Sequence, residues 1–278
     1  MGGVISASLR EPDQTALNIQ LGSAGTYRGF GLETRLNDQT TIAGSFKSAN
    51  NSRAADNEQL NTAFQQSALY ARNTQTVDEL LISSEVIAGV GHDLGKSSDR
   101  FPADRISTYP HDEHLIINLR ATNQLGLFAQ AYVHDQDWAS RTERIGDRQN
   151  LSRYQSQTYG ALFSHQHTNE TSTNRWGIEL TARTNVDIAE IETPLGGDSI
   201  NVGLVDGGNE RVSGVFADRM LFLGDTTLRV GGRLDQSQVS NDGSSRSETK
   251  LNGQVQIDTR LRSCLLYTSP SPRDPSIS

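Results

Sequence analysis

The chain has 278 residues, a net charge of −8, 34% hydrophobic residues and 6% aromatic residues. The acidic balance excludes a general nucleic-acid binder, and no apolar run approaches the ~20 residues of a transmembrane helix. The single cysteine, Cys264, excludes an intrachain disulfide, and the sequence before it has no thiolate nucleophile or thiolate metal site.

Met1 is followed directly by Gly-Gly-Val-Ile-Ser-Ala-Ser-Leu-Arg, with neither the basic nor the apolar region of a secretory signal. Met1 is therefore expected to be an internal methionine of a longer reading frame. Beyond it, apolar and polar residues alternate. Twelve strands are predicted, at 15–22, 27–36, 39–48, 64–73, 79–90, 114–122, 125–137, 157–167, 176–187, 211–221, 226–237 and 249–262. The ninth is typical: Trp176, Ile178, Leu180 and Ala182 interleave with Gly177, Glu179, Thr181 and Arg183. A strand sends successive side chains to opposite faces, so one face is apolar and the other carries charge. The fourth, with Ser67 and Leu69 beside Ala68 and Tyr70, is poorly patterned.

The connections alternate in length. Short turns are expected at Asn37–Asp38, Asn123–Gln124 and Gly224–Asp225, with slightly longer ones at Thr74–Asp78 and Thr168–Arg175. Between them stand long polar loops at 49–63, 91–113, 138–156, 188–210 and 238–248. Short turns on one side and long loops on the other, with strands of ~9–13 residues, describe an outer-membrane barrel, one strand face in lipid and the other toward a watery lumen. Trp138, Trp176, Tyr27, Tyr154 and Phe222 lie near predicted strand ends, where interfacial aromatics belong. The last fifteen residues, from Cys264, read CLLYTSPSPRDPSIS; they resemble a translated sequencing-library adapter and are expected to form a non-native disordered tail.

No motif commits the chain to catalysis. Gly89 to Ser97 has phosphate-loop composition but the wrong glycine spacing, and reads as a glycine-rich outer loop. His111-Asp112-Glu113-His114 places two histidines three apart in a predicted loop, not at the i, i+4 spacing of a metalloprotease helix. His165 and His167 share a strand face without a third ligand, and Asp135 and Asp137 lack the glycine and closing glutamate of a calcium loop. Asn169-Glu-Thr171 matches a glycosylation sequon, and Gly-x-Ser-x-Gly is absent. No metal site, cofactor or enzymatic activity is expected.

Two segments carry a resemblance. Gly2-Gly3-Val4-Ile5-Ser6 through Pro12 resembles the last plug strand of TonB-dependent outer-membrane receptors, with Ser6 in place of the usual Asn. Val215-Phe216-Ala217-Asp218-Arg219, followed by Leu228-Arg229-Val230-Gly231-Gly232-Arg233-Leu234-Asp235, is similar to a strand pair of the same family, Leu234 standing where Tyr is usual. The resemblance implies an all-β fold, an antiparallel up-and-down transmembrane β-barrel fragment of about twelve strands, open and incomplete. Its parts would be the truncated end of a plug (1–12), the first half of a barrel (13–263) and the tail (264–278). It also implies residence in the outer membrane of a Gram-negative bacterium and active import of a scarce ligand such as an iron–siderophore complex, haem or a cobalamin. The resemblance further implies lipid around the barrel, a small molecule or metal chelate as ligand, and the TonB complex coupling energy through a missing N-terminal segment. Tyr109, His111, Trp138 and Arg141 are the candidate ligand contacts, as exposed aromatic and charged residues on predicted loops. Two alternatives stand beside this: a passive porin-like barrel, and a secreted all-β carbohydrate-acting protein in which Glu179 and Asp187 would have to converge.

Overall fold

The computed structural model describes residues 14–22, 26–55, 57–96 and 104–259. These form twelve strands and no helix: β1 (Ala16–Leu21), β2 (Arg28–Arg35), β3 (Thr40–Ala49), β4 (Phe64–Val77), β5 (Leu80–Lys96), β6 (Arg105–Asn123), β7 (Leu127–Arg144), β8 (Arg148–Thr168), β9 (Ser172–Pro194), β10 (Ile200–Leu223), β11 (Thr226–Asn241) and β12 (Ser244–Thr259). Each pairs antiparallel with its chain neighbours in one twelve-stranded sheet ordered β1 to β12. The sheet is up-and-down and open: among the described residues β1 pairs only with β2, and β12 only with β11. The expected plug strand at 1–12 and tail at 264–278 lie outside the described residues.

The alternation read from the sequence is realised in the register. Directly paired residues share a face. Leu115, Ile117 and Leu119 of β6 pair with Ala88, Val86 and Ser84 on one side and with Asp135, Val133 and Ala131 on the other. The same face continues through Tyr159 and Phe163 of β8, Trp176, Ile178 and Leu180 of β9, Val215 of β10, Val230 and Leu234 of β11 and Leu251, Val255 and Ile257 of β12. These apolar side chains are exposed: Ile117 is 49% accessible, Ile178 46% and Val230 47%. Ala139 is the one buried apolar residue among those described. A water-soluble domain of this length buries much of its apolar surface in a core. Here the apolar residues form an outward belt, interrupted at Asp135 and Arg219, a solution stable against hydrocarbon.

The belt has edges. On β6 it runs from Leu115 to Ala121, roughly 20 Å of strand at ~3.3 Å per residue, close to the ~25 Å apolar band of outer-membrane barrels. Beyond Leu115 the outward positions turn polar: Glu113 and His111 on β6, Asp137 beside them on β7, and Gln155 on β8. The ladder does not stop there. β8, β9 and β10 reach 21, 23 and 24 residues, well past the expected ~9–13. The described residues of the segments expected as long loops at 91–113, 138–156, 188–210 and 238–248 are therefore mostly strand, closed by hairpin connections such as 145–147, 195–199 and Asp242–Gly243. Irregularities mark where the ladder leaves the belt: register shifts occur at Thr108/His111, at Gln155/Gln157 and between Gly203 and Glu210. Such bulges bend a strand and increase its twist. Of the expected long loops, 49–63 is the one whose described residues after Ala49 form no named strand, and it is held by Asn51 Oδ1 accepting from the amides of Thr62 and Ala63 at 2.9 and 2.8 Å.

The opposite end has the expected tight turns. Asn169 Oδ1 accepts from the amides of Thr171 and Ser172 at 3.0 and 2.8 Å, so the sequon-like triplet is a turn device. Gly126 sits in the β6–β7 turn at φ +88°, where a Cβ would fall on the Gln166 carbonyl oxygen. Gly146, at φ +76°, has open space around it. Gly126→Ala should cost about 2 kcal/mol, combining strain and overlap, and Gly146→Ala about 1 kcal/mol. The difference is readable as folded yield in lipid vesicles.

Candidate functional site

The inward face is predominantly polar, because most of its residues are polar or charged, with Ile87, Ile116, Leu162 and Phe216 as apolar positions among them. From β4 to β7 a chain of bonds crosses it. Arg72 Nε lies 3.7 Å from Glu85 Oε1, Asn118 Nδ2 donates to Glu85 Oε2 at 2.9 Å, and Gln130 Nε2 donates to Asn118 Oδ1 at 2.9 Å. From β9 to β11 ion pairs take over. The Asp218 carboxylate, its side chain 10% exposed, bridges Arg175 Nη2 at 2.8 Å and Arg229 Nη2 at 3.0 Å. Arg233 bonds Glu179 Oε2 through Nη1 and Asp235 Oδ1 through Nε, both at 2.7 Å. A concavity of about 400 Å³ opens between them, lined by Arg175, Glu179, Phe216, Asp218, Arg233 and Gln254. The Arg175 guanidinium lies over the Phe216 ring, 5.4 Å from its centroid.

Further along the strands, past the belt, the inward face carries aromatics. Trp138 of β7 stacks on Tyr154 of β8 at 5.7 Å between centroids and meets Tyr109 of β6 edge-on at 6.3 Å. Below them His114 Nε2 bonds Asp112 Oδ1 at 2.9 Å, and His114 Nδ1 lies 3.1 Å from His134 Nε2, the two rings stacked. This is a wall of stacked rings and hydrogen-bonding groups, suited to binding and orienting a ligand. Among the described residues no group of three His, Cys, Asp or Glu converges to hold a metal ion.

The four expected contacts are corrected in position. None is on a loop: Tyr109 and His111 belong to β6, Trp138 and Arg141 to β7. Tyr109 and Trp138 come together on the inward face. His111 faces outward, bonding Asp137 Oδ1 at 2.9 Å, and Arg141, three residues beyond Trp138, projects from the opposite face to it. Trp138 and Tyr154, expected near strand ends, are mid-strand and inward. Trp176 is outward near the tight turns, 5.8 Å from Phe163 and 6.0 Å from His165, so the aromatic girdle is clearest there. Gly89 to Lys96 is part of β5 and not a loop. Glu179 and Asp187 do not converge: Glu179 faces inward to Arg233, while Asp187 is paired with Gln155 on the outward face. The sequence reading missed His134, Tyr154 as a stacking partner and the pairing of Arg175 and Arg233 with acidic partners on other strands. The signal for the charged groups was present in the inward alternation of β9 and β11.

No family model and no curated protein matches the sequence. Solved structures do match. The copper transporter OprC superposes with a TM-score of 0.71 at 12% identity, over 91% of this chain and 44% of that one. The FrpB iron transporter from Neisseria meningitidis gives 0.60 at 15% identity, over 86% and 43%. FpvA of P. aeruginosa, bound to heterologous pyoverdines, gives 0.62 at 8% identity, over 91% and 41%. The chain spans less than half the length of each. With its order, its outward apolar belt and its polar inner wall, this sheet shares the fold of the corresponding part of these transporter structures.

Proposed function

We propose that the chain forms part of an active-transport receptor in the outer membrane of a Gram-negative bacterium. It would import a scarce ligand such as an iron–siderophore complex, haem or a cobalamin, with energy from the TonB complex. In this reading residues 1–12 end a plug, 13–263 form barrel wall, 264–278 are a non-native tail, and TonB engages a segment before Met1. The observation that supports it is the two-faced sheet: hydrocarbon-compatible outside, hydrogen-bonding and ion-paired inside, with an aromatic cluster on the inner wall beyond the belt. The proteins of like fold named above are described as copper and iron transporters and as a pyoverdine-bound protein. The wall performs no chemistry on the ligand. Lipid-facing residues hold it in the bilayer, and the inner polar groups present a surface along which a ligand or plug can be held and released.

Of the four candidate contacts, Tyr109 and Trp138 are the inward pair, and His111 and Arg141 face outward at the rim. Trp138→Ala should raise the concentration of half-maximal uptake roughly tenfold, the loss of one central aromatic contact. Arg141→Ala should change it less than about threefold, since rim charges contribute little. Uptake of candidate iron–siderophore complexes, haem and cobalamin by cells carrying the complete protein, with and without an uncoupler, tests the reading. Energy-dependent uptake of one of them is expected. Ligand flux that persists unchanged under the uncoupler would favour the passive-barrel alternative.

A further inference from the structure

A second site is written on the outward face, at the edge of the apolar belt. Two successive cross-strand rows meet there. One is Tyr159, Ala182, Arg211 and Gln238; the next, one step nearer the tight turns, is Ala161, Leu180, Ser213 and Gln236. The alanines leave a trough, a groove of about 430 Å³ lined by these residues. The β8–β9 side of the trough is apolar, and Phe163, Ile178 and Val215 continue it into the belt. The β10–β11 side presents only donors and neutral acceptors. Arg211 is exposed there, and the row partners around it, Ala182 and Gln238, bear no charge. Of the other arginines of this region, Arg175, Arg183, Arg229 and Arg233 face inward and each has a carboxylate within 4 Å, while Arg219 faces outward eight residues away toward the tight turns, beside Val230 and far from this trough. Arg211 has no such carboxylate among the described residues. A lone guanidinium beside an apolar trough, where outward residues change from apolar to polar, matches a molecule with a phosphate at one end and acyl chains at the other.

We propose that this groove binds the phosphorylated glycolipid of the outer leaflet, lipid A. One phosphate is held by Arg211 with Ser213, Gln236 and Gln238 beside it, and an acyl chain lies over Ala161, Leu180 and Ala182. The inference rests on the reading of this face as lipid-embedded. Its occupant follows from the uncompensated cation, which a neutral lipid would leave unpaired.

The test is native mass spectrometry of the complete protein titrated with bisphosphorylated lipid A, and with the same lipid stripped of its phosphates. Wild type should bind the phosphorylated form about tenfold more tightly, the size of one charge-assisted hydrogen bond. Arg211→Gln should lose that tenfold preference, and Arg211→Lys should recover part of it. Ala182→Leu, which fills the trough and keeps the cation, should weaken both lipids. Lys250→Gln, an inward charge loss on β12, should bind as wild type does. Equal binding of the two lipids to wild type, or an undiminished preference in Arg211→Gln, overturns the proposal. If that happens while Val230→Arg still destabilises far more than Thr227→Arg, the lipid-embedded reading stands and only the lipid A site fails.

Discussion

Arginine in place of Val230 is expected to destabilise the membrane-inserted protein by about 2–4 kcal/mol, while arginine in place of Thr227 costs less than about 1 kcal/mol. The two positions lie three residues apart on β11 and face opposite ways. Val230 pairs with Arg219 and Val255 on the outward face, Thr227 with Phe222 and Asp258 on the inward face. A cation at Val230 has to be drawn out of hydrocarbon or stretch to the headgroups. One at Thr227 enters a polar wall with Asp258 directly opposite. Val255→Arg and Gln254→Arg on β12 repeat the comparison, because Val255 is outward and Gln254 inward. Reversible urea unfolding of the four variants in lipid vesicles measures it. Equal penalties on the two faces would remove the lipid assignment and revive a soluble β protein.

Asp218→Ala is expected to cost about 2 kcal/mol in the same assay. Asp218 is nearly buried and accepts from two arginines on the strands to either side of β10. Without it Arg175 and Arg229 face each other with no counter-charge; Asp218 is the nearly buried partner, while the arginines, 41% and 28% exposed, are partly screened by water. Asp218→Asn keeps an acceptor oxygen and should lose about half as much. Glu210→Ala is the contrast. Its pair with Arg183 is 3.6 Å long and both side chains are more than two-fifths exposed, so its loss should stay below about 1 kcal/mol. Comparable penalties for Asp218→Ala and Glu210→Ala would mean that the Asp218 bridge carries no special weight in the wall.

The belt was legible because lipid imposes a contrast that water does not. Where one face meets hydrocarbon and the other a polar interior, residues must alternate, and Trp176 to Ala182 or Leu251 to Ile257 display that alternation without ambiguity. Past the belt both faces of the ladder meet water. His111, Glu113, Asp135, Asp137, Gln155 and Asp187 then satisfy the outward positions as well as any apolar residue, so the strands continue while the pattern vanishes. That is why 91–113, 138–156, 188–210 and 238–248 read as loops. The local cues left there were turn dipeptides, such as Asp242-Gly243 with φ of +45° and +75°, the dipeptide of a tight hairpin. The face of Arg229, Arg233 and Asp235 was readable from β11 alone. Their partners were not, because Arg233 reaches Glu179 across β10, between strands that register alone brings near. The same limit split the candidate contacts. Tyr109 and Trp138 share a face only because of the bulge at Thr108/His111, which no residue pattern announces.

The central claim, that the face bearing Leu115, Ile117 and Leu119 lies in lipid, is tested most directly by a spin-label scan of β6. Single cysteines at 111 to 121, in a background with Cys264 replaced by Ser, carry the label in vesicle-reconstituted complete protein. Relaxation by oxygen, which partitions into the bilayer, is compared with relaxation by a water-soluble nickel chelate. The expected oxygen-to-chelate ratio alternates with period two, high at 115, 117, 119 and 121 and low at 114, 116, 118 and 120, and the alternation dies out at 113 and 111. Free access of the aqueous chelate to 115, 117 and 119, or the absence of any period-two alternation between 114 and 121, would contradict it.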